Sequence, residues 1–98
     1  MKIIKYNLPT HSPYYGFMLN GDKTFDIRTR KPYAQLMLGD HVKFWEQDPK
    51  TLEMTQQWFV GEVTYIINTR DINFWAWLID DMEKIDLIVF SVKVVETS

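Results

Sequence analysis

The sequence predicts a mainly β domain of the α+β class: a small barrel or half-barrel of about six strands, with two short helices plugging its ends. Three observations predict it. Bulky and β-branched residues alternate with polar ones over several short stretches. Gly, Pro, Asn and Asp punctuate the chain between those stretches. The strands also follow one another directly, without the strand–helix–strand rhythm of a parallel sheet.

The elements are read in order. Lys2 to Leu8 alternates and reads as a first strand, which Pro9-Thr10-His11-Ser12-Pro13 breaks. Pro13 suits the first turn of a helix and Ser12 its N-cap. Tyr14 to Asn20 is then a short helix closed by Gly21. Thr24 to Arg28 has period two, with Thr24, Asp26 and Arg28 on one face and Lys23, Phe25 and Ile27 on the other. Thr29 to Met37 reads as a loop. Leu38-Gly39-Asp40 turns into a strand over His41 to Glu46, and Asp48-Pro49-Lys50-Thr51 marks the next turn.

Met54 to Asn68 reads as one long strand. Phe59, Gly61, Val63, Tyr65 and Ile67 share a face, and Gly61 marks a bulge or bend. Asp71 to Asp86 carries Phe74, Trp75, Trp77, Leu78 and Met82 near helical spacing. Leu87 to Val95 closes the domain as a final strand.

Composition removes whole classes of function. The 98 residues are 46% apolar, enough for one core and one domain over residues 1–98. There is no cysteine, hence no disulfide framework and no thiolate nucleophile or metal ligand. The two histidines, His11 and His41, are too few for a His-based zinc site without carboxylate help, and no metal or cofactor is expected. No apolar run approaches the roughly 20 residues of a membrane helix. Met1 to Lys5 lacks the apolar stretch of a signal peptide, so the expected location is cytoplasmic, with no membrane partner. A net charge of −2 argues against bulk, sequence-blind binding of duplex DNA. Oligomeric state is not legible.

The most informative stretch is Gly21-Asp22-Lys23-Thr24-Phe25-Asp26-Ile27-Arg28. A glycine turn delivers a lysine to a strand mouth. The strand then displays a hydroxyl, a carboxylate and a guanidinium beside a buried face. Arg28 can fork onto a phosphate or carboxylate, Lys23 adds a point charge, and Asp26 can orient Arg28 or accept from a base edge. The plain alternative is a solvated strand face with a local Asp–Arg pair.

This stretch resembles the signature of ASCH domains, Gly-x-Lys-x-x-Glu-x-Arg. Gly21, Lys23 and Arg28 match it, and Asp26 replaces the usual Glu. Tyr14-Tyr15 upstream, the Leu38-Gly39-Asp40 turn and Trp45-Glu46-Gln47-Asp48-Pro49 resemble elements of a small ASCH-like subfamily in the same order. Tyr6 stands where that subfamily often has a His. The resemblance implies a PUA-like β-barrel with a cleft beside the Lys/Arg motif that binds RNA, a nucleotide or a modified base. Tyr6, Tyr33 and Trp45 are then the expected stacking platforms. Some small ASCH proteins resemble amidohydrolases acting on N4-acetylcytidine through a Lys, a Thr and a distal Glu. The Lys maps onto Lys23. The Thr maps onto Asp26 and is therefore absent, Thr24 being its neighbour and not its equivalent. Glu62 and Glu83 are the candidates for the Glu.

Charge is uneven. Residues 22–31 hold four basic and two acidic side chains, and residues 71–86 hold five acidic and one basic. The first patch suits phosphates and the second repels them. Trp75 and Trp77 diverge by about 200° on one helix, so one of them faces away from the core. An exposed Trp beside Asp80 and Asp81 suits a protein partner. Three readings therefore stand: a nucleic-acid or nucleotide-binding domain using Lys23, Thr24, Asp26 and Arg28; a protein-interaction module docking through residues 71–86; and the amidohydrolase.

Overall fold

The computed structural model describes residues 3–68 and 87–98. These hold five strands and one α-helix: β1 Ile4–His11, α1 Tyr14–Leu19, β2 Phe25–Thr29, β3 His41–Gln47, β4 Met54–Asn68 and β5 Leu87–Thr97. A single 3-10 turn over Lys31–Tyr33 interrupts the loop expected between β2 and β3. The helix expected over 71–86 lies outside the described residues, and with it Trp75, Trp77, Asp80 and Asp81.

The strands form one curled sheet, a half-barrel, in the order β1-β3-β4-β5-β2. β1 runs parallel to β3, and all other neighbours are antiparallel. The first two strands of the chain are thus the two edges of the sheet. This explains why Pro9 does not break β1. Proline lacks a backbone N–H, a defect that only an edge strand tolerates, and β1 continues to His11 opposite Gln47.

Ser12 does not cap α1 as the sequence suggested. The N-cap position is Pro13, with no side-chain cap. Ser12 instead extends the β1–β3 pairing: its N–H donates to the Gln47 carbonyl (3.1 Å) and its Oγ to Glu46 Oε2 (3.0 Å). At the other end Gly21 takes φ +82, the left-handed conformation that favours glycine after a helix. There Lys23 N–H returns to the Phe17 carbonyl at 3.0 Å.

Helical spacing puts Tyr15, Met18 and Leu19 against the sheet. They pack on Leu8, Leu36, Val42, Phe44, Phe59, Val63, Ile88, Phe90 and Val92. Phe44 stacks on Phe59, with centroids 4.8 Å apart, and Tyr15 tilts against the same ring at 5.2 Å. Burial, and then the Glu46 carboxylate, push the Tyr15 hydroxyl above the ordinary phenol range.

β4 departs from simple alternation. Its pairing with β5 shifts at Val60/Gly61 and again at Val63/Tyr65. The first shift is the irregularity expected at Gly61, where a Cβ would meet Val92 Cβ at 2.7 Å. The second turns Tyr65 outward to 54% exposure, off the face it was expected to share with Phe59, and Ile66 packs on the core instead.

β2 begins at Phe25, one residue later than expected, and its faces are reversed in burial. Phe25 and Ile27 are 43% and 49% exposed, whereas Asp26 is 6% exposed. The polar face of this edge strand looks inward. The reason lies in what Asp26 and Arg28 hold.

Candidate functional site

The site forms where the two edges of the half-barrel come together. Asp26 turns its carboxylate back along its own strand. Oδ1 accepts the Ile27 N–H at 3.0 Å and Oδ2 accepts Arg28 Nε at 2.7 Å. Both oxygens are thus engaged within β2, and the guanidinium is aimed across the gap. Arg28 Nη2 donates to the Pro9 carbonyl at 3.0 Å and to Thr10 Oγ1 at 3.3 Å. Both acceptors belong to β1. An edge strand leaves carbonyls without a ladder partner, and Arg28 satisfies one of them. Thr10 is itself buried, and its hydroxyl donates to the Leu8 carbonyl at 3.5 Å.

Beside this bridge is a cleft of about 230 Å³, lined by Pro9, Thr10, His11, Tyr14, Lys23, Asp26, Ile27 and Arg28. β1 supplies one wall, β2 the other, and the first residue of α1 the rim. Gly21 returns the chain from α1 so that Lys23 enters at the mouth. The Lys23 ammonium lies 5.0 Å from the Tyr14 ring centroid and 5.6 Å from that of Phe25. Among the described residues it makes no ion pair or hydrogen bond. The cleft therefore presents a free ammonium, a guanidinium held by a buried carboxylate, and a half-exposed aromatic ring. That combination suits an anionic or oxygen-rich ligand carrying a flat ring.

Lys23, Asp26 and Arg28 thus come together. The other sequence candidates do not join them. Thr24 is exposed, and its carbonyl belongs to the sheet, accepting the Val92 N–H at 3.0 Å. Tyr6 and Tyr33 meet each other edge to face at 5.0 Å and pack against the core, which leaves neither as an open platform in the cleft. Trp45 stands on the opposite face of the sheet from Val42 and Phe44. It is paired with Trp58 at 6.5 Å, with the Lys43 ammonium over both rings, and its Nε1 donates to Asn7 Oδ1 at 3.1 Å. Glu62 lies 3.7 Å from His41 Nε2 and is not in the cleft. Glu83 is outside the described residues.

The cleft adds Thr10, His11 and Tyr14, which sequence reasoning did not place there. Tyr14 could have been found from its position: it starts the helix whose end is the Gly21 turn, so a six-residue helix brings it back beside Lys23. Nothing in the sequence marked Thr10 or His11, because their place depends on β1 running past Pro9. Among the described residues no cluster of His, Asp and Glu has the makings of a metal site. No helix among them is long and apolar enough to cross a membrane.

No protein-family model matches the chain, and no curated protein matches its sequence. Solved structures do match it. One is an ASCH protein of Zymomonas mobilis, ZmASCH, determined as a single-residue variant, with 13% identity and a TM-score of 0.59, covering 99% of this chain and 73% of that one. This chain has an ASCH-like fold. The hypothetical protein PH0355 matches as well, with 12% identity and a TM-score of 0.58 over 97% of this chain and the whole of the other. At such identities the likeness is one of fold. In this chain the half-barrel sets β1 and β2 at its two edges, and the space between those edges is the cleft.

Proposed function

We propose that this protein is a single ASCH/PUA-like domain that binds RNA, a nucleotide or a modified base in the cleft between β1 and β2. The observation that carries the reading is the free Lys23 ammonium beside the oriented Arg28 guanidinium, in one cleft with the Tyr14 ring. Lys23 meets a phosphate or a base oxygen. Arg28 keeps its Nη1 for the same purpose, since its Nε and Nη2 are taken by Asp26 and β1. Tyr14 replaces Tyr6, Tyr33 and Trp45 as the stacking surface. Asp26 positions Arg28 and does not itself read the ligand.

The amidohydrolase reading gains nothing from this arrangement. The position of the family's Thr is held by a carboxylate already bonded to Arg28 and Ile27. The protein-interaction reading rests on residues 71–86 and has no described geometry behind it.

The test is a thermal-shift screen of wild type and Lys23→Ala against nucleosides, modified nucleosides, nucleotides and short single-stranded RNA. A ligand of the native state raises the melting temperature by mass action. The expected result is a shift in wild type that Lys23→Ala loses. No shift from any of these ligands would refute the reading.

A further inference from the structure

The charge of the cleft says more about which end of a nucleotide it takes. Among the described residues Asp26 is the only carboxylate in the lining, and both its oxygens are engaged within the strand. The other ionisable groups lining it are His11, Lys23, Arg28 and the Tyr14 phenol. Neither the His11 ring nor the Lys23 ammonium makes a hydrogen bond or ion pair among the described residues, and no bond there engages Arg28 Nη1. Three nitrogen donors, from the end of β1, from the turn before β2 and from β2 itself, thus line one small space, and among the described residues no free carboxylate there meets them.

A phosphate monoester fits this need better than a diester. It carries about −1.5 to −2 charges and three terminal oxygens at neutral pH. A diester within a chain carries one charge, and its strand must leave the site at both ends. The Arg28 bridge to Pro9 and Thr10 crosses the gap between β1 and β2, so a polynucleotide cannot thread between those strands. At about 230 Å³ the cleft also falls just below the roughly 300–1,000 Å³ of ordinary ligand pockets. It has room for one terminal group and the ring stacked at its rim.

We infer that the cleft is a terminal-phosphate site: His11, Lys23 and Arg28 Nη1 hold the phosphate monoester of a mononucleotide or of an RNA end, and the exposed Tyr14 ring stacks on its base. This rests on the binding function proposed above and names the group that is bound.

Isothermal titration at low salt tests it, with uridine, cytidine, adenosine and guanosine, their 5′-monophosphates, inorganic phosphate, and a short RNA with and without a 5′-phosphate. The expected result is a monophosphate that binds at least tenfold more tightly than its nucleoside. His11→Ala and Lys23→Ala each shrink that ratio, and Lys50→Ala, an exposed turn lysine outside the cleft, leaves it unchanged. Tyr14→Ala weakens nucleoside and monophosphate alike. A mononucleotide that matches the phosphorylated RNA identifies a free nucleotide as sufficient, and a phosphorylated RNA that binds more tightly identifies an RNA end; both support the site. A nucleoside as tight as its monophosphate, or an RNA indifferent to its 5′-phosphate, overturns the inference and leaves the broader binding function standing. A monophosphate preference that survives Lys23→Ala also overturns it, because the phosphate then lies elsewhere. Absence of binding to the monophosphates and to the phosphorylated RNA alike overturns it too, and only failure of the wider nucleoside and RNA screen overturns both.

Discussion

Arg28 donates from Nη2 to the carbonyl of Pro9 at 3.0 Å, and that bond joins the two edges of an otherwise open half-barrel. The arrangement has a sequence-level cause. Pro9 can sit only on an edge, the edge leaves a carbonyl free, and Asp26 two residues before Arg28 aims the guanidinium at it. The same group therefore holds the fold together and forms the floor of the cleft. The Lys23 ammonium, by contrast, makes no hydrogen bond or ion pair among the described residues and touches only the exposed Tyr14 and Phe25 rings.

Arg28→Ala is accordingly expected to destabilise the protein as well as to impair binding. It removes the bridge to β1 and deprives the buried Asp26 of its charged partner. Each polar group left unsatisfied costs about 1–3 kcal/mol. Urea denaturation measures the loss. Arg28→Lys is expected to recover only part of it, because an ammonium cannot reach Asp26 and Pro9 with the same fork. An Arg28→Ala variant as stable as wild type would remove the bridge from the account.

Gly61→Ala tests the packing of β4 on β5. The added methyl would stand 2.7 Å from Val92 Cβ, a contact that both strands must move to relieve. Overpacking of this kind costs about 1–3 kcal/mol. The double variant Gly61→Ala/Val92→Ala is expected to be more stable than the two single losses would sum to, which a double-mutant cycle of melting curves reads directly.

Tyr15 predicts an alkaline slope in stability. Its pKa is raised in the folded protein by burial and by Glu46, above the value of 10.0 it has when unfolded. Above that pH the unfolded chain releases the proton while the folded chain still holds it. The native state then binds more protons, and stability falls as pH rises. Tyr15→Phe keeps the ring and removes the proton. It should flatten the loss of stability between pH 9 and 11, relative to wild type, in chemical denaturation. An unchanged slope would count against the burial of that hydroxyl.

Trp45→Phe is expected to leave ligand affinity in the cleft within twofold of wild type, since Trp45 lies on the outer face with Trp58 and Lys43. Tyr14→Ala should weaken the same ligand by tenfold or more, in line with the cost of losing one base–aromatic stack, about 1–3 kcal/mol. Titration of one ligand against both variants separates the two faces. The reverse ranking would restore Trp45 to the site.

Much of the fold was legible because it rests on local pattern. Alternation marked the strands, Gly21 marked the end of α1, and Gly61 marked the irregularity of β4. The order Gly21, Lys23, Asp26, Arg28 pointed to the ASCH-like fold and to the wall of the cleft. What was not legible depends on where a strand sits in the sheet. Pro9 reads as a break until β1 is known to be an edge. Phe25 and Ile27 read as an inner face until Asp26 and Arg28 are seen to reach β1. Trp45 reads as a platform until the register sets it opposite Trp58. In each case the deciding contact joins residues distant in sequence, which no local spacing encodes.

The most direct measurement is a thermal-shift titration of wild type and Lys23→Ala with the nucleotide and single-stranded RNA panel. Because the Lys23 ammonium makes no hydrogen bond or ion pair among the described residues and touches only the exposed Tyr14 and Phe25 rings, the two proteins should melt close together without ligand, and each is compared with its own ligand-free melt. The account predicts a ligand-dependent rise in wild type that is absent, or reduced by most of its size, in Lys23→Ala. An equal rise in both proteins would contradict it, because the ligand would then bind outside the cleft.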